Sequence, residues 1–136
     1  DRETARRIAA AHTAASRDVE AFLRRVPELP SPEDIAEYAA LHKVFGDRVH
    51  DIPVSATKGA TGHLLGGTGA LEAMFTLLAI RERQAPPTIN LTTQDPAIPL
   101  KVSGSQQPLG DGQQLAISNS FGFGGHNAVV ALRTMD

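Results

Sequence analysis

A chain of 136 residues with 41% apolar content fits one domain able to bury a core. Its formal charge of −2, from 13 basic and 15 acidic residues, argues against nucleic acid or an anionic membrane as partner. The absence of cysteine excludes disulfides, thiolate metal sites and a cysteine nucleophile within this chain. No apolar run approaches the roughly 20 residues of a membrane helix, and the N-terminus lacks the apolar centre of a secretory signal. The expected setting is soluble and intracellular, with cytoplasm and mitochondrion not resolved. Asn90-Leu91-Thr92 fits the glycosylation triplet, but nothing else points to secretion. Because the first residue is Asp1, the chain is expected to be a fragment.

In chain order, Ile8, Ala11, Ala15, Val19, Phe22 and Val26 recur every three or four residues, so the spacing predicts an amphipathic helix from Arg2 to Arg25. Pro27, Pro30 and Pro32 interrupt it. Ser31, Pro32 and Glu33 read as a cap, a first-turn proline and a dipole-favoured acid opening a second helix that ends near Phe45, before Gly46. A short strand follows from Val49 to Ala56, and a third helix from Ala70 to Glu82. Leu71, Met74, Phe75, Leu77, Leu78 and Ile80 cover most of that third helix's circumference, which predicts burial. Pro86-Pro87 ends the segment. Four β-prone runs follow: Thr88 to Leu91, Ile98 to Val102, Gln114 to Ser118 and Ala128 to Arg133, with a polar surface turn from Gly104 to Gln114.

Two glycine-rich stretches stand out. In the first, Lys58 to Phe75 reads KGATGHLLGGTGALEAMF. Lys58 precedes the glycines, whereas a phosphate-binding loop places its lysine after them, and no clean G-x-G-x-x-G is present. Gly62, Gly66, Gly67 and Gly69 allow close backbone approach around His63 and would let its ring face a cavity. The second stretch, Asn119 to Asn127, reads NSFGFGGHN between two expected strands. A hairpin is its local reading. Phe121 and Phe123 alternate with glycines, which is unusual in a simple turn because exposed rings need something to cover.

Together, SATKGATGHLLGGTGALEA and NSFGFGGHN resemble the lysine-and-histidine segment and the C-terminal glycine-phenylalanine loop of beta-ketoacyl-acyl-carrier-protein synthases, with the similar connection APPTINL between them. The resemblance extends from about Asp34 to Arg133. It implies an α/β chain forming the C-terminal half of a thiolase-like fold, a mixed sheet with a buried helix. Residues 1–30 are an N-terminal helix outside the likeness, and residues 31–136 a partial C-terminal domain. The resemblance also implies decarboxylative Claisen condensation of an acyl thioester with malonyl carrier protein in fatty-acid synthesis. The partner would be acyl carrier protein bearing pantetheine-linked acyl and malonyl groups, the assembly a homodimer, and no metal or organic cofactor is expected.

By the same resemblance, His63 matches a catalytic histidine that hydrogen-bonds the thioester carbonyl, and Lys58 matches the family lysine with Glu37 as its acidic partner. The Phe123 amide matches an oxyanion-hole donor and its ring a gate for the acyl chain. Gly122 and Gly124 support that loop, and Phe121 is expected to pack. The family's cysteine and first histidine have no counterpart here; AAAHTAAS around His12 echoes the histidine segment but lies too far upstream, within an expected helix. The isolated chain is therefore expected to be inactive in condensation. The alternative is a non-catalytic acyl-binding or dimerisation remnant of the same fold. His42 and His50 read as surface groups, His126 as a loop residue, and no His/Asp/Glu grouping has metal-ligand spacing. Without a first half, Leu71, Phe75 and Leu78 are expected to leave an apolar surface that drives self-association.

Overall fold

A computed structural model describes residues 2–11, 32–122 and 125–135. Helix α1 covers residues 2–11 and turns Ala5, Ile8 and Ala11 inward at three-residue steps, as its apolar spacing requires. The remainder of the expected first helix, with His12, lies outside the described residues. Helix α2 runs Pro32–Phe45. Proline at its first position costs no hydrogen bond, Glu33 and Asp34 meet the positive end of the helix dipole, and His42 and Lys43 meet the negative end. A 3₁₀ turn, Gly46–His50, then returns Val49 to the interior.

Six strands follow among the described residues. Strand β1 is Pro53–Val54, β2 Gln84–Ala85, β3 Lys101–Val102 and β4 Gln107–Pro108. Strands β5, Leu115–Gly122, and β6, His126–Arg133, are longer. Between β1 and β2 lie a one-turn helix α3, Lys58–Thr61, a 3₁₀ turn at Leu65–Gly67 and the long helix α4, Thr68–Glu82. Strand β1 pairs parallel with β3, β2 antiparallel with β4, and β5 antiparallel with β6, in register from Leu115 opposite Arg133 to Gly122 opposite His126. The chain is thus α/β with both strand directions, but its described strands form three separate two-stranded ladders and not one sheet.

The β5–β6 hairpin is the middle layer. Side chains alternate across a strand, so Ile117, Asn119 and Phe121 share one face of β5 while Ser118 and Ser120 share the other. The first face meets the core: Ile117, Phe121 and Val129 pack with Tyr38, Val44, Phe45 and Leu100 around Ile8, Leu41 and Val49. The second face meets α4. A Cβ on Gly69 would stand 3.2 Å from Ser120 Oγ, so glycine there is what lets the helix start lie so close to the strand.

Three strand expectations and one turn are corrected. The strand expected from Val49 to Ala56 is only Pro53–Val54, because Val49 and His50 belong to the 3₁₀ turn. Thr88 to Leu91 is a turn and not a strand, because two prolines precede it and Asn90 takes a φ of 67°. Thr88 still bridges, accepting from the Ala56 N–H at 3.0 Å and donating its own N–H to Ser103 at 2.8 Å. In the run from Ile98 to Val102 only Lys101 and Val102 pair, since Pro99 has no N–H to give a ladder. The expected turn from Gly104 to Gln114 contains β4. Helix α4 also departs from expectation: only Thr68 and Ile80 are buried, while Met74, Leu77 and Leu78 are exposed. Of the expected open surface Leu78 is exposed, but Leu71 and Phe75 are half-buried, and Met74 and Leu77 make up the rest. No helix among the described residues is long and apolar enough to cross a membrane.

Candidate active site

Helix α3 is a single turn closed by the Gly62 N–H on the Lys58 carbonyl at 2.9 Å. Gly62 then takes φ 71° and ψ 176°, a conformation essentially confined to glycine, and swings the chain so that His63 leaves the helix axis. Leu65, two residues on, has a φ of 50°, costly for a side chain other than glycine's. Its strained backbone has a visible use: the Leu65 N–H donates to His63 Nδ1 at 3.0 Å. The Thr68 hydroxyl lies 3.1 Å from the same nitrogen.

These contacts define the histidine chemically. An amide can only donate, so Nδ1 is an acceptor and the proton of the neutral ring sits on Nε2. His63 therefore presents an N–H donor, held in direction by the first turn of α4. Its ring is exposed, and the expected cavity around it is not formed by the described residues. Two open grooves lie elsewhere. One, of about 260 Å³, runs between α1 and β6 along Arg2, Ala5, Arg6 and Val129. The other, of about 370 Å³, lies between the end of α4 and Arg133.

Lys58 does not pair with Glu37. Its ammonium donates to Glu72 Oε1, and the pair is not deeply buried, with Lys58 44% and Glu72 15% exposed. Glu72 follows Thr68 by four residues, which stacks the two on one face of α4 about one turn apart. The same helix face thus holds the histidine through Thr68 and the lysine through Glu72. The Thr76 hydroxyl, one turn further, donates to the Glu72 carbonyl at 2.8 Å.

Glu37 reaches the site from α2. Its Oε1 accepts from Asn119 Nδ2 of β5 at 2.8 Å. Burial raises its pKa above the ordinary carboxylate value; the Asn119 hydrogen bond and the Lys58 charge oppose the rise, while Asp34 and Glu72 add to it. Lys58 is thus an electrostatic neighbour of Glu37, although its direct carboxylate is Glu72. Asn119 Oδ1 and Ser55 Oγ are buried with no hydrogen-bond partner among the described residues.

Of the residues singled out in the sequence, Glu37, Lys58 and His63 stand on elements packed around α4 and β5. Phe121 packs into the core, and Gly122 closes the hairpin ladder opposite His126. Phe123 and Gly124 lie outside the described residues. Sequence reasoning missed Thr68, Glu72 and Asn119. Thr68 and Glu72 could have been found from their four-residue spacing at the start of the third helix, and Asn119 from its alternation with Ile117 and Phe121. The sequence spacing showed no metal-ligand grouping, but the fold assembles one candidate. Folding brings one ligand atom each from His42, Asp47 and His50 within 4.8 Å of one another.

The glycine turn thus presents an oriented imidazole N–H, and the start of α4 holds both that ring, through Thr68, and the lysine, through Glu72. The family pattern described as beta-ketoacyl synthase, C-terminal domain, matches residues 31–92, the span that holds Glu37, Lys58, His63, Thr68 and Glu72. Over that span the chain is similar to the C-terminal part of the beta-ketoacyl synthases. It is 46% identical over 101 residues to a 3-oxoacyl-[acyl-carrier-protein] synthase 2 of Synechocystis sp., covering 74% of this chain and 24% of that protein. A synthase of the same name from Staphylococcus aureus is 41% identical over 103 residues, 76% of this chain and 25% of its own length. The chain spans about a quarter of the length of these curated relatives.

Proposed function

We propose that this chain supplies the C-terminal catalytic elements of a beta-ketoacyl-acyl-carrier-protein synthase with a thiolase-like fold. It would act in decarboxylative condensation together with a segment that carries the nucleophilic cysteine. The observation that carries the reading is the acceptor role of His63 Nδ1, because it leaves Nε2–H as a donor of the kind a thioester carbonyl needs. When malonyl thioester loses CO₂, the electron pair of the broken C–C bond moves onto the thioester as an enolate. An N–H aimed at that oxygen stabilises the charge as it forms. The enolate carbon then attacks the acyl thioester, and the thiolate of that ester leaves.

In this reading Lys58, held in place by Glu72, offers an ammonium donor near the reacting thioester. The Phe123 amide would serve as a second oxyanion donor, and its ring as the gate for the acyl chain. The partner is acyl carrier protein with pantetheine-linked acyl and malonyl groups, and the working assembly a homodimer. The cover over the exposed His63 ring would come from the remainder of the enzyme.

The test is a chimera in which residues 32–135 replace the equivalent segment of the Staphylococcus aureus synthase, assayed for malonyl-carrier-protein decarboxylation and for condensation. The chimera is expected to be active, and His63→Ala in it to lower turnover by about 10²–10³-fold, the usual effect of losing one oxyanion donor. The isolated chain, without a cysteine, should condense nothing above blank. A folded chimera whose His63→Ala variant turns over normally would overturn the reading and leave a binding or dimerisation remnant as the account.

A further inference from the structure

The end of α2 and the 3₁₀ turn after it carry a side-chain cluster that the condensation chemistry does not use. His42 Nε2 lies 3.7 Å from Asp47 Oδ1. The rings of His42 and His50 are 6.0 Å apart, and the Tyr38 ring packs beside both, at 5.8 Å and 6.2 Å. One ligand atom from each of His42, Asp47 and His50 lies within 4.8 Å of the others.

His50 supplies an independent sign that the cluster is arranged for a ligand. Its Nδ1 lies 2.8 Å from the Pro99 carbonyl oxygen, which can only accept. Nδ1 therefore carries a proton, and in the neutral ring Nε2 keeps its lone pair. Metal-ligating histidines are held in this way, with the second ring nitrogen tied to a carbonyl that fixes tautomer and direction. The turn itself is anchored, because Val49, next to His50, is 1% exposed within the core.

We propose that His42, Asp47 and His50 form a three-ligand site for a divalent transition-metal ion of the Zn²⁺ class, with remaining positions filled by water. Two imidazoles and one carboxylate suit such an ion, whereas Mg²⁺ and Ca²⁺ prefer all-oxygen sets. Bonds of about 2.0–2.2 Å in tetrahedral geometry hold ligand atoms roughly 3.3 Å apart. With His50 held on the Pro99 carbonyl, closing from within 4.8 Å falls to rotation of the exposed His42 and Asp47 side chains. The residues span the end of α2 and the 3₁₀ turn: His42 precedes Asp47 by five residues and Asp47 precedes His50 by three.

The test uses Co²⁺ as probe, since its visible d–d bands report coordination and its binding needs no enzyme activity. Titration of the 136-residue chain should saturate at one Co²⁺ per chain, and Zn²⁺ should displace it. Loss of a second-shell partner already costs about 10–100-fold in affinity, so His42→Ala and His50→Ala should each weaken binding at least about tenfold. His126→Ala, at the end of the β5–β6 hairpin and outside the cluster, should leave binding unchanged. X-ray absorption of the Zn²⁺-loaded wild-type chain should show two imidazole ligands, a readout that does not depend on any variant folding. Binding without one-to-one stoichiometry, fewer than two imidazoles, or undiminished binding by the His42→Ala/His50→Ala double variant would overturn the proposal.

Discussion

Helices α2 and α4 are of similar length and pack against opposite faces of the same hairpin, yet they distribute their residues in opposite ways. Helix α2 buries Ala36, Ala40 and Leu41 and, Glu37 apart, leaves its charged residues outside, as an amphipathic helix should. Helix α4 does the reverse. Its inner line, at four-residue steps, is Thr68, Glu72, Thr76 and Ile80, which includes the groups that hold His63 and Lys58, whereas Met74, Leu77 and Leu78 are 55%, 52% and 37% exposed. The difference shows what each helix is for. One closes a core, and the other spends its inner face on a polar site while presenting an apolar face that calls for a cover. In the proposed reading that cover is the rest of the synthase.

The largest effect should come from the core side. Leu41→Ala removes a side chain that is 5% exposed beside Ile8 and Val49, and should cost about 2–5 kcal/mol by urea unfolding followed by circular dichroism. The outer face of α4 should respond in the other way. Met74→Lys combined with Leu77→Lys should change fold stability by only about 0.5 kcal/mol per site, since surface substitutions rarely do more. The same pair should shift the chain from self-associated to monomeric in sedimentation velocity. A wild-type chain that sediments as a monodisperse monomer would break the comparison, because the exposed face would then need no cover.

Smaller in size, but sharper, is the behaviour of Glu37 between the two helices. Its folded-state pKa is raised, mainly by burial, so the folded chain holds this proton more tightly than the unfolded chain. Stability is therefore unaffected by this group below the ordinary carboxylate range and falls as pH rises from there through the raised value. A protonated Glu37 also has an O–H to offer, and Asn119 Oδ1 lacks a donor. Glu37→Gln should remove this fall and leave stability at neutral pH equal to or above wild type, measured by unfolding across pH 4 to 8. An unchanged pH profile in Glu37→Gln would show that another group sets it.

Much of the fold was legible because its boundaries are written in local chemistry. Pro32, Glu33 and Gly46 bracket α2 where the helix occurs, and the glycine-rich run leads into α4 within two residues of its observed start at Thr68. The strands after Pro87 were less legible, since Pro99 and the positive φ of Asn90 disrupt runs whose side chains favour a sheet. At the site, Lys58 and His63 could be picked out by residue type and neighbours, but their partners could not. Glu37 and Glu72 are both acids within reach of Lys58 in sequence terms, and only the packing of α4 against α3 chooses Glu72. The His42, Asp47 and His50 cluster was missed for a related reason. Its spacing spans a helix end, where neither the helical nor the strand period applies.

The decisive feature of the site is the position of one imidazole proton. Long-range ¹H–¹⁵N correlation of the His63 ring in its neutral form reads the tautomer directly. The account predicts a protonated Nε2 and an Nδ1 that accepts from the Leu65 amide, with the tautomer preference weakened in Thr68→Val. A ring protonated at Nδ1 would contradict it, because that histidine could offer no Nε2–H to a carbonyl.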